Sequence, residues 1–270
     1  MKIFYHDADL DGKCSAAVVR RYAPKAECVG VDYGRPFPWK EVRLGETVYL
    51  VDFHLPPEEM LRLWKRASLV WIDHHVTALE WAESVDFWPP GLRRPDVAAC
   101  ELCWRWLFIG PIPLGVKLIS RFDVWDVDED VLAFNYGLQT YDTRPESEVW
   151  PKVFGDPAFV RRVTEEGKPI VKWIRDYYKR YASAFARRLT WRGMEVIEVN
   201  VGFANSLLAD ACEDADLYAF VVRGPKGWKV NLRSERVDVG KLAHSLGGGG
   251  HERAAGFWCE ELPWEGGERG

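Results

Sequence analysis

Three short apolar runs in the first quarter of the chain end in the same way, on carboxylates and imidazoles. Residues 3–5 (IFY) run into His6, Asp7, Asp9 and Asp11, closed by Gly12; VYLV runs into Asp52 and His54; LVWI runs into Asp73, His74 and His75. A single Asp after a strand is ordinarily a helix cap, and a single His an ordinary core or surface residue. Three strand ends behaving alike call for another cause. The segments between these runs read as helices (15–22 and 58–67, the latter opened by Pro56 and Pro57), with a further strand at 26–33. Such alternation predicts a parallel α/β sheet with right-handed crossovers. Parallel strands bring their C-terminal ends to one edge, where open α/β sheets bind their ligands.

Carboxylates crowded at that edge repel one another unless a cation lies between them. A solvated Asp-rich turn is the plainer reading of HDADLDG, since Asp and Gly favour turns, but it does not account for the other two strand ends. Asp7, Asp9, Asp11 and Gly12 imitate the opening of an EF-hand loop. That loop needs a Glu at its twelfth position and a helix in front, whereas Val18 stands there behind a strand. Carboxylates with neutral imidazoles and no thiolate suit manganese or magnesium. Ligands suffice for two ions with one carboxylate bridging.

Composition narrows the class. The 270 residues are 47% hydrophobic and 29% charged, as in a water-soluble globular protein with one large or two moderate cores. No apolar run reaches the length of a membrane span and the first residues read as strand, so a cytoplasmic protein without membrane attachment is expected. The six cysteines are scattered; Cys100 and Cys103 form a lone C-x-x-C inside an apolar helical stretch, which reads as packing. A net charge of −5 does not advertise long duplex nucleic acid, yet bound cations reverse the sign locally and allow short anionic substrates. Most of the 14 tryptophans are expected in cores, with a few available to stack on bases.

Helices are expected at 97–109 and 114–122. Past residue 128 the prolines at 145, 151, 157 and 169 break the chain into short pieces, followed by one long amphipathic helix over 171–189. A fresh α/β pattern begins near Met194 and ends on LGGGGHERAAG. The expected organisation is a catalytic domain over 1–128, a helical linker over 129–189 and a smaller α/β domain over 190–270. Four consecutive glycines can set backbone N–H groups against an anion, with a helix beginning near His251 and Arg253 gripping phosphate. Asn205 is as well explained by a helix cap as by an anion.

Taken in order, HDADLDG, VDF, DHH, ISRFDVWD and LGGGGHERAAG resemble the motifs of the DHH phosphoesterase superfamily, named for the triplet standing here as Asp73, His74 and His75. The last motif resembles the glycine-rich signature of the DHHA1 domain. The resemblance spans nearly the whole chain, and the length is similar to that of the short, nano-RNase or oligoribonuclease type rather than the larger RecJ-type exonucleases. It implies a parallel-sheet DHH domain joined by a helical linker to an α/β DHHA1 domain, with the active site in the cleft between them. It further implies one manganese held by His6, Asp9 and Asp52 and a second held by Asp11, Asp52, His74 and Asp123, with magnesium an alternative. Asp7 competes with His6, and Asp126 or Asp142 with Asp123. Asp52, as the bridge, and His75, beside the phosphoryl oxygens, take the catalytic roles. Arg233, Ser234, Gly249, Gly250, His251 and Arg253 are implied substrate contacts. The implied reaction is two-metal hydrolysis of short single-stranded oligonucleotides to mononucleotides, with a homodimer the one assembly considered. The same core implies as alternatives a phosphatase or phosphodiesterase for a small compound (3′-phosphoadenosine 5′-phosphate, a cyclic dinucleotide, pyrophosphate or polyphosphate) or a non-catalytic nucleotide-binding regulator.

Overall fold

A computed structural model describes residues 1–202, 207–225 and 227–265, with the side chain of His251 outside the description. The chain divides into two compact units, Met1–Val171 and Lys172–Gly270.

The first unit is built on four parallel strands, β1 (Lys2–His6), β2 (Glu27–Val31), β3 (Thr47–Val51) and β4 (Ser68–Ile72), in the order β2-β1-β3-β4. Successive side chains of a strand point to opposite faces, and each face here has its own core. Ile3, Tyr5, Tyr49, Val51 and Ile72 pack on one side; Phe4, Val48, Leu50, Leu69 and Trp71 pack on the other. That two-sided burial is why the strands read as unbroken apolar runs.

The first face is covered by α1 (Leu10–Tyr22). The second is covered by α2 (Pro57–Arg66) and α3 (Val76–Ser84). Beyond them, α4 (Ala99–Leu107), α5 (Leu114–Asp123), α6 (Glu129–Leu138), α7 (Val149–Gly155) and the start of α8 (Pro157–Phe185) extend the first core. Cys100 and Cys103 lie fully buried in α4 as free thiols. No helix among the described residues is long and apolar enough to cross a membrane.

The prolines do not divide the region past residue 128 as the sequence suggests. Pro151 and Pro157 fall in the first turns of α7 and α8, where the missing N–H has no intrahelical acceptor to lose. Pro169 lies inside α8, which continues through it for 29 residues in all. Two residues earlier, a Cβ at Gly167 would stand 1.7 Å from the Ala133 carbonyl oxygen, and one at Gly137 would stand 2.1 Å from that of Val163. Only glycine at both points lets the backbones of α6 and α8 touch.

The second unit carries a six-stranded sheet ordered β5-β6-β7-β8-β10-β9. Its strands are β5 (Ala186–Trp191), β6 (Met194–Asn200), β7 (Leu217–Gly224), β8 (Gly227–Arg233), β9 (Gly249–His251) and β10 (Ala254–Cys259). β6 and β7 are parallel and the remaining pairs antiparallel. Short helices α9 (Leu207–Asp210) and α10 (Val239–Ser245) complete it, with Val196, Leu217, Val221, Val230, Leu232, Val239 and Phe257 in its core. The helix anticipated over 171–189 therefore ends at Phe185, and 186–191 is an exposed edge strand instead.

Candidate metal centre

In the strand order β2-β1-β3-β4 the chain leaves β1 in opposite directions, so the switch point lies between β1 and β3. Crevices at such a point are where open α/β sheets bind ligands. His6 ends β1 and Asp52 follows β3, one on each side of it. Nδ1 of His6 is 2.9 Å from Asp9 Oδ2 and 3.7 Å from Asp52 Oδ2.

Helix α1 starts at Leu10 rather than Ser15, because Asp9 is its N-cap and accepts the Gly12 N–H at 3.0 Å. The capping oxygen is Oδ1, which leaves Oδ2 facing His6. Cap and candidate ligand are thus one side chain with its oxygens divided. Gly12 permits this closeness: a Cβ there would stand 2.0 Å from the His6 carbonyl oxygen.

Asp11, in the first turn of α1, is almost wholly buried and accepts the N–H groups of Ala99 (2.9 Å) and Cys100 (2.7 Å) at the start of α4. A carboxylate is stabilised there by the helix dipole. Nε2 of His74 then faces three carboxylates, Asp123 at 3.2 Å, Asp52 at 3.3 Å and Asp11 at 3.8 Å.

Asp52 has a left-handed backbone, φ 53°. Its N–H still bonds to the Ile72 carbonyl at 3.0 Å, so the β3–β4 ladder continues one residue before the chain turns. Left-handed backbone in a non-glycine residue costs about 1–3 kcal/mol and collects at functional sites. Aspartate is among the side chains that tolerate it best.

The ligand atoms fall into overlapping groups, each within 4.8 Å: His6, Asp9 and Asp52; Asp52, His74 and His75; Asp11, His74 and Asp123; and His54, Asp73 and His75. Burial alone would lower His6, yet Asp52 and Asp9 push it up to about 11. Against the same effect of burial, Asp52, Asp123 and Asp11 push His74 up to about 10. Burial, with the charge of Asp52 and Asp123, lifts Asp11 far above the carboxylate range. Asp123 rises to about 7, by burial and then the charges of Asp52 and Asp9, against the pull of His74. Asp52 itself is buried, but His6 and His74 hold it low. The raised imidazoles show how strongly the surrounding carboxylates favour a positive charge among them.

This donor set fits divalent cations. The buried Nδ1 of His6 makes no well-directed hydrogen bond among the described residues, as suits a lone pair aimed at an ion. Asp52 belongs to two groups and so can bridge.

His75 stands at the rim with Nδ1 2.7 Å from Asp73 Oδ1. Buried Asp73 is held well below the carboxylate range despite its burial, first by His75 and then by His54. The alternatives left open by sequence separate clearly. Asp7 is exposed beside Tyr5 and Gly30, while Asp126 pairs with Arg121 and Asp142 with Arg144; none joins a group.

Sequence reasoning passed over Asp32, 3.6 Å from His6 Nε2, and Tyr33, whose hydroxyl meets His54 Nδ1 at 2.9 Å. The signal was available, since Asp32 follows β2 as Asp52 follows β3.

In the second unit Arg233 is half-buried. Its Nε has no partner among the described residues, one of its terminal nitrogens donates to the Leu232 carbonyl, and burial lowers its pKa. The Ser234 hydroxyl donates to the Asp216 carbonyl and accepts the N–H groups of Arg236 and Val237. Its capacity is spent on the turn, and it has no free donor for a phosphate.

The helix expected to begin near His251 is absent: 249–251 is β9, paired to β10, and α10 ends just before the glycines. Gly248 and Gly250 are needed for close packing, because a Cβ would stand 2.1 Å from the Gly256 oxygen or 2.5 Å from the Ala255 Cα. Gly249 has open space beside it. Arg253 is exposed in the β9–β10 turn. The side chain of His251 and the whole of Asn205 lie outside the described residues.

Residues 195–265, about a quarter of the chain, match the family model of the DHHA1 domain. No curated protein matches the chain. Among solved structures it is similar to the DHH domain of a member of the s1p family of ribosomal proteins, at 14% identity and a TM-score of 0.63, covering 98% of this chain and 84% of that one. It is similar to an exopolyphosphatase-related protein from Bacteroides fragilis, at 14% identity and a TM-score of 0.52, covering 98% and 88%. A pGpG-specific phosphodiesterase from Vibrio cholerae follows at 12% identity and a TM-score of 0.50, covering 95% and 92%. The chain thus matches the DHHA1 domain over residues 195–265 and shares its fold with these structures along nearly its whole length.

Proposed function

We propose that the chain is a divalent-metal phosphodiesterase that hydrolyses short single-stranded oligonucleotides to mononucleotides. The observation that carries this reading is the sharing of Asp52 between the His6–Asp9 group and the His74 groups at one sheet edge. His6, Asp9 and Asp52 would hold one ion; Asp11, Asp52, His74 and Asp123 would hold the other. When bound, such ions supply Lewis acidity and an acidified water. Manganese suits the mix of imidazole and carboxylate, and magnesium the carboxylates alone.

The chain's own residues do the rest. The Asp73 carboxylate, bonded to Nδ1, fixes the His75 ring so that Nε2 can donate to a phosphoryl oxygen or protonate a departing alkoxide. Asp11, tied to two backbone N–H groups, and Asp52, held by the β3–β4 ladder, are positioned before substrate arrives. Arg233, a half-buried cation with no carboxylate partner among the described residues, is a contact for a substrate phosphate, and exposed Arg253 a second. The proposed site of action is the cytoplasm.

The fold likeness to a pGpG-specific phosphodiesterase makes a dinucleotide the first compound to test, and the likeness to an exopolyphosphatase-related protein makes polyphosphate the second. Purified protein with manganese should convert end-labelled oligonucleotides of two to five units to mononucleotides faster than it releases phosphate from polyphosphate or 3′-phosphoadenosine 5′-phosphate. Asp52→Asn should abolish that turnover. Preference for a phosphomonoester or polyphosphate, or an Asp52→Asn variant with more than a few per cent of activity, overturns the reading.

A further inference from the structure

Tyr33 lies two residues beyond β2, at the sheet edge that carries the metal centre. Its ring is 5.3 Å from that of His6, 5.3 Å from that of His54 and 5.9 Å from that of His75, which it meets edge-on; Phe53 stands at 4.5 Å. It thus spans the imidazole assigned to one ion and the imidazole assigned to the phosphoryl group. The residue is 43% exposed, so core packing does not account for its place.

The neighbouring hydrogen bonds decide where its proton goes. The Tyr33 hydroxyl is 2.9 Å from Nδ1 of His54, and the same nitrogen is 3.6 Å from Asp73 Oδ2. Asp73 is fully buried. Its Oδ1 accepts the backbone N–H groups of His74 (2.8 Å) and His75 (3.3 Å) and bonds to the His75 ring, while Oδ2 has no hydrogen-bond partner among the described residues. Facing a buried carboxylate oxygen with a bare lone pair is costly. Nδ1 of His54 therefore carries a proton, whether that ring is neutral or charged. The tyrosine oxygen then accepts this N–H. Its own phenolic proton, which tyrosine keeps at neutral pH, has no acceptor among the described residues.

We propose that Tyr33 is a substrate contact whose hydroxyl donates to a phosphoryl oxygen of the bound nucleotide, alongside His75. The proposal rests on the phosphodiesterase reading and adds to it a fixed, uncharged donor, held by His54 before substrate arrives. Tyr33→Phe removes the oxygen and leaves the ring against His6 and Phe53. With manganese present, affinity for adenosine 5′-monophosphate, read by titration calorimetry, should fall at least about tenfold, as for a lost hydrogen bond to a charged group. The value of kcat/KM for a dinucleotide should fall with it. Ribose 5-phosphate, which has no base, should lose the same factor, and manganese affinity should match the parent. Unchanged affinity for both compounds overturns the proposal, and so does a parent that binds neither. A loss confined to adenosine 5′-monophosphate would put the hydroxyl on the base and overturn it too. In a His54→Ala background the effect of Tyr33→Phe should persist; its disappearance would reduce the hydroxyl to a prop for His54 and likewise overturn the proposal. Mononucleotide binding that depends on Tyr33, without turnover of any phosphodiester, would sink the proposed hydrolysis and leave this contact standing. Full dinucleotide turnover and undiminished binding in Tyr33→Phe would do the reverse.

Discussion

Replacing Asp123 by Asn should make the metal-free protein more stable while removing most of its response to metal. The ligand atoms of Asp11, His74 and Asp123 lie within 4.8 Å of one another. Burial, with the charges of Asp52 and Asp9, lifts Asp123 from 3.8 to about 7 against the pull of His74, which corresponds to about 4 kcal/mol. Water reaches 26% of the side chain, and that screening brings the expected effect to about 2 kcal/mol. A carboxyl raised on folding contributes stability below pH 3.8 that is lost as pH climbs through about 7. At pH 8 the loss is complete, and an amide at position 123 avoids it.

For a unit of this size about 2 kcal/mol corresponds to a melting point roughly 4–8 °C higher for Asp123→Asn in chelator at pH 8. The advantage should fall to roughly half at pH 5.5 and vanish below pH 4. With metal at about a hundred times its dissociation constant, the parent gains about 2.7 kcal/mol. A variant binding a hundredfold more weakly gains less than about 1 kcal/mol at the same concentration. Calorimetric scans of both proteins, with chelator and with manganese, at the three pH values decide the matter. A variant that melts below the parent in chelator at pH 8 would mean that Asp123 stabilises the fold as an ordinary polar contact. Equal metal-induced shifts would remove it from the centre.

Metal affinity should itself rise with pH, because protons on His6 and His74, lifted to about 11 and about 10 by their carboxylate neighbours, must leave before an ion binds. Titration calorimetry should show the manganese dissociation constant falling about tenfold per pH unit between 6 and 8 if one proton is released, and a flat profile would contradict this. Gly12→Ala, which drives a methyl group into the His6 carbonyl, should cost about 2 kcal/mol and loosen the ion held by His6; an unchanged melting point and unchanged metal binding would refute it. Arg233→Ala should raise KM for a dinucleotide at least about tenfold with kcat within about twofold, and should not destabilise the fold, since it deletes a half-buried charge without a carboxylate partner among the described residues. An unchanged KM would remove Arg233 from substrate binding.

What the sequence made legible follows from how strongly each segment's burial is written into it. Residues 48–51 and 69–72 are apolar throughout because they are covered on both faces, and their strands end where the polar residues begin. The grouping of His6, Asp52 and His74 followed from one rule, that parallel strands deliver their ends to one edge. The docking of Asp11 on the start of α4 could not be read, because it depends on the approach of segments 88 residues apart; the cap by Asp9 is local, three residues from its donor, and was missed because the helix was started at Ser15. Residues 186–189 were mistaken for helix because an exposed edge strand, ARRLTW, has no inward apolar run to announce it. The glycines at 247–250 were read for an anion when two of them answer the steric demands of a hairpin.

The left-handed backbone at Asp52 has a bearing on descent. Glycine or asparagine at that position would relax the main chain, so drift alone favours their arrival wherever the carboxylate is not in use. Relatives keeping an acid there would report continuing selection for the ions, and any that had lost it would be expected to have given up turnover while gaining a steadier scaffold. A single column of an alignment would then sort hydrolases from mere binders.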